Sequence, residues 1–145
     1  MATTTFLANA TVNVTQGATT VDLSDQCKSV TLTVGYDSLE STAMGDTGHR
    51  FVQGLQTVEV ALELFLSYGG TGSTSEVETA LYSYLGTGST TLVISPSGTT
   101  ESASNPEYTI TNAMLASFTP VNSTVGELAT VTATFTGGTF ARDIT

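Results

Sequence analysis

With 145 residues the chain is one domain's worth of sequence, long enough to bury a core without disulfide or metal staples. Thirteen acids against three bases give a net charge of −10, yet only 11% of residues are charged, so the polarity comes mostly from threonine, serine, asparagine and glycine. Three cations cannot clamp a phosphate backbone, one cysteine cannot close an internal disulfide, one histidine cannot build a His-rich zinc site, and no apolar run reaches the length of a membrane span.

Residues 1–20 are threonine-rich and low in complexity, and are expected to form an N-terminal arm, mobile in a free subunit, holding at most one short strand. They lack a positive n-region and a long apolar stretch, so no secretory signal is expected. The Asn-X-Thr triplets at Asn9, Asn13 and Asn122 are then chance matches in a threonine-rich chain. Cys27 is expected as a small packed side chain. From Val21 the patterning sharpens: Val30, Leu32 and Val34 alternate with Thr31 and Thr33, a half-buried strand. Residues 36–55 break the alternation with three glycines, two aspartates, a glutamate, His49 and Arg50, which predicts a long functional loop.

Residues 56–68 carry the clearest strand. Val58, Val60, Leu62, Leu64 and Leu66 fall on one face, and Glu59, Ala61, Glu63 and Phe65 on the other. Residues 69–74 form a flexible connection. Ser75 and Glu78 have the spacing of a capping box, which predicts one helix over 76–85 that buries Val77, Leu81, Tyr84 and Leu85 and stops at Gly86. Strands follow at 90–95, before Pro96, at 108–118 and at 128–136. In the second of these, Tyr108, Ile110, Asn112, Met114, Ala116 and Phe118 share one face; in the third, Ala129, Val131, Ala133 and Phe135 do. Residues 137–145 read as a C-terminal arm. The sum is a mainly β domain over 21–136, a β-sandwich or partly closed barrel of six or seven strands with one short helix.

Catalytic chemistry finds little support. Serines and aspartates are plentiful, so counting leaves a Ser-His-Asp arrangement open, but no Gly-X-Ser-X-Gly elbow accompanies it and His49 reads as a contact-forming loop residue. The glycines of 69–73 lack the lysine of a phosphate-binding loop. Glu59 and Glu63 lie roughly 13 Å apart along one strand, too far for a glycosidase pair. Asp22 with Asp25, or Asp37 with Glu40, match no EF-hand pattern and read as solvated surface. The pentapeptide Gly-Thr-Gly-Ser-Thr at Gly70 and Gly86 brackets the helix without a structural repeat around it. No enzyme activity and no cofactor are expected. A sandwich with two arms, a charged loop and an acidic surface is suited to self-association.

An ordered set of short motifs then resembles the tail tube proteins of long-tailed bacteriophages. The set runs Asp22-Leu23-Ser24-Asp25, Glu40-Ser41-Thr42-Ala43-Met44-Gly45-Asp46-Thr47, Arg50-Phe51 and Gly54-Leu55. After the helix ending at Gly86 come Asn105-Pro106-Glu107-Tyr108 and Pro120-Val121-Asn122-Ser123-Thr124-Val125-Gly126-Glu127-Leu128. The resemblance implies a virion protein assembled in the host cytoplasm, forming hexameric rings that stack into a hollow tube for double-stranded DNA. Its partners would be further copies of itself and other tail proteins at the tube ends, with no membrane and no specific DNA binding. Six copies at −10 each would carry −60, and an acidic wall repels phosphates. On this reading Asp37, Glu40, Asp46, His49, Arg50 and Phe51 belong to an inter-subunit loop, and Glu59 and Glu63 face the lumen. The alternatives are a minor tail, tail-completion or capsid decoration protein, and a cell-surface binding module.

Overall fold

A computed structural model describes residues 10–98 and 100–145. Eight strands and one helix follow the chain as β1 (Thr11–Gln16), β2 (Thr19–Asp22), β3 (Cys27–Glu40), β4 (Phe51–Phe65), α1 (Val77–Tyr84), β5 (Thr90–Ser95), β6 (Glu107–Phe118), β7 (Thr130–Thr136) and β8 (Thr139–Asp143). Every strand pairing is antiparallel. The order β2-β1-β5-β6-β7-β4-β3 is open at β2 and β3, and β8 pairs with β6. The fold is mainly β, as the sequence predicts.

The path bends into two packed layers at β6. Its first half lies between β5 and β8, and its second half pairs with β7. β7 and β8 form one continuous partner for β6: Met114 faces Thr136 and Thr111 faces Thr139 in unbroken register. Both partners turn the corner together. Asn112 adopts a left-handed φ of 62°, and Gly137 and Gly138 across from it have φ of 79° and 88°. Asparagine and glycine are the residues that tolerate this region. A Cβ on Gly138 would lie 2.3 Å from the Thr111 carbonyl oxygen, so the close approach also requires glycine.

This corner overturns the single face expected for 108–118. Ile110 is buried, and then the burial passes to Ala113 and Leu115 while Met114 is exposed, because the kink at Asn112 reverses the alternation. It also replaces the expected C-terminal arm: residues 139–143 are a strand, with Phe140 stacked on Tyr108 at 5.6 Å.

The core lies between the layers. Val12, Val14, Val60, Leu62, Leu64, Leu92, Ile110, Leu115, Val131 and Phe135 are essentially sealed from water. α1 closes one end with Val77, Ala80, Leu81 and Tyr84. The expected capping box does not form: Glu76 is the N-cap without a side-chain bond, and the Ser75 hydroxyl donates instead to the Gly72 carbonyl at 2.8 Å. That 310 turn over Gly72–Thr74 claims the serine before the helix can. Leu85 is exposed rather than core.

Two further expectations change. Residues 11–20 are not an arm: β1 and β2 belong to the sheet, since Val12 and Val14 alternate with the polar Thr11, Asn13 and Thr15 and bury completely. The remainder of the expected arm, 1–9, lies outside the described residues, as does Asn9. The predicted loop 36–55 is mostly strand, because β3 and β4 pair continuously from Cys27–Leu64 out to Glu40–Phe51, and only residues 41–50 connect them.

Candidate assembly surface

β4 pairs with β7 only over residues 59–65, whereas β3 accompanies it along its whole length. The outer half of this hairpin therefore extends beyond the sheet as a two-stranded ribbon. Neither face is covered. Tyr36, Leu39, Phe51, Val52 and Leu55 are all at least half exposed, with Leu55 at 79%. A register shift between Tyr36 and Ser38 sets two residues of β4, Gly54 and Leu55, against the single Asp37 of β3, so the bulge lies on β4. A Cβ on Gly54 would come within 2.9 Å of the Asp37 Cβ. Such a bulge adds bend and twist to the ribbon.

The tip is internally bonded. The Ser41 amide donates to the Arg50 carbonyl at 2.8 Å, and the Ala43 amide to Asp46 Oδ2 at 2.8 Å. Thr42 Oγ1 donates to Glu40 Oε1 at 3.0 Å and accepts from the Arg50 amide at 2.9 Å. His49 Nδ1 lies 2.7 Å from Glu40 Oε1, and Arg50 Nη1 lies 3.7 Å from Asp46 Oδ1. The His49 and Thr42 bonds hold the Glu40 carboxyl below its ordinary value of 4.5. The His49 ring also tilts toward Phe51 at 6.4 Å. The tip thus brings together Glu40, Asp46, His49, Arg50 and Phe51. Asp37 stands apart from them, across from the bulge.

Glu59 and Glu63 share the outward face of the β3-β4-β7 layer. Glu59 pairs with Thr33 and Thr136, Ala61 with Thr31 and Thr134, and Glu63 with Ser29 and Thr132. The result is a carpet of hydroxyls flanking two carboxylates. Lys28 Nζ reaches Glu63 Oε1 at 3.3 Å. The threonine alternations of β3 and β7 are visible in the sequence, but the place of Lys28 beside Glu63 is not. Of the ribbon's exposed apolar residues only Phe51 is singled out from the sequence; Tyr36, Leu39, Val52 and Leu55 are not, because both faces are free and leave no period of burial.

β3 itself is an edge strand of 14 residues. Long exposed edges template further strand pairing unless something covers them. Among the described residues no group of three or more histidine, cysteine or carboxylate side chains could hold a metal ion. No helix there is long and apolar enough to cross a membrane.

No protein-family model matches the chain, and no curated protein does. Solved structures do match, over nearly the full length. A chain from the sheath/tube terminator of the PVC extracellular contractile injection system in its extended state superposes with a TM-score of 0.68 at 17% identity, covering 98% of each chain. A chain from the tube-terminating cap of the anti-feeding prophage gives 0.62 at 16% identity, covering 100% of this chain and 95% of that one. A chain from the virion of a native gene transfer agent gives 0.65 at 7% identity, with 91% and 95% coverage. At these identities the likeness is one of fold: the chain has a tail-tube-like β-sandwich.

Proposed function

We propose that this chain is a structural subunit of a phage-type tail tube. Its copies associate into hexameric rings, and the rings stack into a hollow tube that conducts double-stranded DNA. The observation that carries the reading is the β3–β4 ribbon. A monomer has no use for a bare two-stranded extension with five large apolar side chains in water, and isolated ribbons are marginal by themselves. Packed on a neighbouring subunit or ring, the same ribbon becomes a clamp, and Asp46 and Arg50 at its tip supply polar contacts. The free edge of β3 offers a second, heterologous contact of the kind that closes rings.

The layer containing Glu59 and Glu63 would form the inner wall. Its chemistry suits passage rather than binding. Hydroxyls dominate, two of the chain's three cations are engaged by carboxylates at Lys28–Glu63 and Arg50–Asp46, and nothing there gathers phosphates. The wall is less acidic than the net charge of −10 suggests, since Lys28 offsets one of its two glutamates.

Negative-stain microscopy of the purified protein tests the reading: tubes or stacked rings support it, and monomers at every concentration refute it. A second reading, a subunit that ends a tube rather than continuing it, is favoured by the full-length fit to chains from a cap and a terminator assembly. Single rings that never stack would select it.

A further inference from the structure

On β4 the inward residues Val58, Val60, Leu62 and Leu64 are buried, but their neighbours on β3, Val30, Leu32 and Val34, are only half covered. Among the described residues they line an apolar groove of about 360 Å³ together with the stacked Tyr108 and Phe140. The groove thus runs between residues of two edge strands, β3 and β8. A charge stands beside it. Arg142 pairs directly with Tyr108 across the β6–β8 ladder and lies two residues from Phe140, so it shares their face of the layer. Arg142 is exposed, and no carboxylate engages it among the described residues, whereas Lys28 and Arg50 each have one.

The ribbon carries the complement. Asp37 and Leu39 share one face of β3; Leu39 pairs directly with Val52, and Leu55 is set against Asp37 across the bulge. That face presents three exposed aliphatic side chains beside one exposed carboxylate. Of the ribbon's acids, Glu40 is engaged by His49 and Asp46 by Arg50, and Asp37 alone has no ion-pair partner among the described residues. The spacing agrees as well. Asp37 is one alternate-residue step from Leu39, roughly 7 Å along the strand, and Arg142 is the same step from Phe140. A Leu39 side chain laid on Phe140 therefore brings Asp37 to Arg142. These two halves cannot meet within one copy: Val34 lines the groove, and the alternation along the same strand turns Asp37 and Leu39 to the opposite face.

Resting on the tube-subunit reading above, we infer that the ribbon of one copy docks in the groove of the next. Leu39, Val52 and Leu55 cover the β3 aliphatics and the Tyr108–Phe140 pair, and Asp37 meets Arg142 at the rim. The contact joins two different surfaces, so it propagates from copy to copy instead of closing a two-fold dimer. The occupant is a second copy of this chain rather than an unrelated protein, because each side offers an apolar face and one unengaged charge, opposite in sign and matched in spacing.

Charge exchange in the full-length chain tests the docking, read as the critical concentration for pelleting, with folding checked by circular dichroism. Asp37→Arg and Arg142→Asp each set like charges against one another at every contact, and each should raise the critical concentration several-fold. The variant carrying both exchanges should return close to the parent. An equimolar mixture of the two single variants should assemble as well, because each supplies the charge that the other's contact lacks. Single variants that assemble like the parent, or a double variant no better than the singles, would overturn the inference and leave the tube reading standing. Rescue in the double variant but not in the mixture would place the pair within one copy and overturn it too. A parent that stays monomeric at every concentration would refute the tube reading, and the docking with it.

Discussion

The ribbon gives the most direct quantitative test of assembly. Leu55 leaves 79% of its surface in water. Fully burying a leucine side chain is worth about 1.5–3 kcal/mol, so covering the exposed part of Leu55 in a contact contributes about 1–2 kcal/mol. At about 1.4 kcal/mol per tenfold in affinity, Leu55→Ser should weaken each ribbon contact roughly tenfold. Adding Phe51→Ser, which removes a ring that is 60% exposed, should bring the loss to about a hundredfold if the two contributions add. Folding stability should move by no more than about 0.5 kcal/mol, as for other surface substitutions. A sealed core leucine behaves in the opposite way: Leu64→Ala should cost about 2–5 kcal/mol of stability. The assay is the pelleted fraction as a function of total protein, which yields a critical concentration, paired with thermal melts of the soluble subunit. A critical concentration unchanged in the double variant, with the melt intact, would refute the assignment of the ribbon to a contact.

Three other outcomes follow from the geometry. Replacing Glu59 and Glu63 with lysine should leave tubes intact but make them retain DNA in a salt-dependent manner; intact tubes that release DNA normally would place this face outside. Burial pushes the Tyr84 phenol from 10.0 up to about 12, and its hydroxyl finds no partner among the described residues. The unfolded chain therefore ionises first as pH rises, so the tyrosine's contribution is intact below pH 10 and is lost toward about 12. Tyr84→Phe should flatten the fall in denaturant midpoint across that window, and an unchanged slope would contradict the burial. Gly138→Ala should lose about 1–3 kcal/mol from backbone strain alone, before the clash with the Thr111 carbonyl is added. Gly88→Ala, with open space around it, serves as the control, and equal melts for the two would be inconsistent with the corner described above.

What the sequence disclosed depended on whether a strand had one wet face and one dry one. β4 and β7 do over their central residues, and the faces of Val58 to Leu64 and of Val131 to Phe135 were legible, while β5 was legible as a strand without its buried face being assigned. The ribbon has two wet faces, so Tyr36 to Glu40 and Phe51 to Leu55 carried no period and resembled a loop. β6 has a dry face that changes sides at Asn112, and a strict alternation through that residue assigns half of the strand wrongly. β8 is short and largely exposed, so it carried no alternation to set it apart from an arm. For the candidate surface, the charge of residues 40–50 drew attention to the tip, and Glu40, Asp46, His49 and Arg50 do converge there. The Lys28–Glu63 pair could not be found by spacing, because 35 residues and a hairpin register separate its members.

The shared corner at Asn112 and Gly138 has a mechanical consequence. The two layers are not merely pressed together through side chains; two covalent backbones pass from one to the other side by side. A shearing force applied to one layer is carried into the other by peptide bonds in β6 and in the β7–β8 segment. Sliding the layers would require breaking ladder hydrogen bonds on both sides of β6 at once, rather than slipping one apolar surface over another. A domain built in this way passes load from one layer to the other through its backbone.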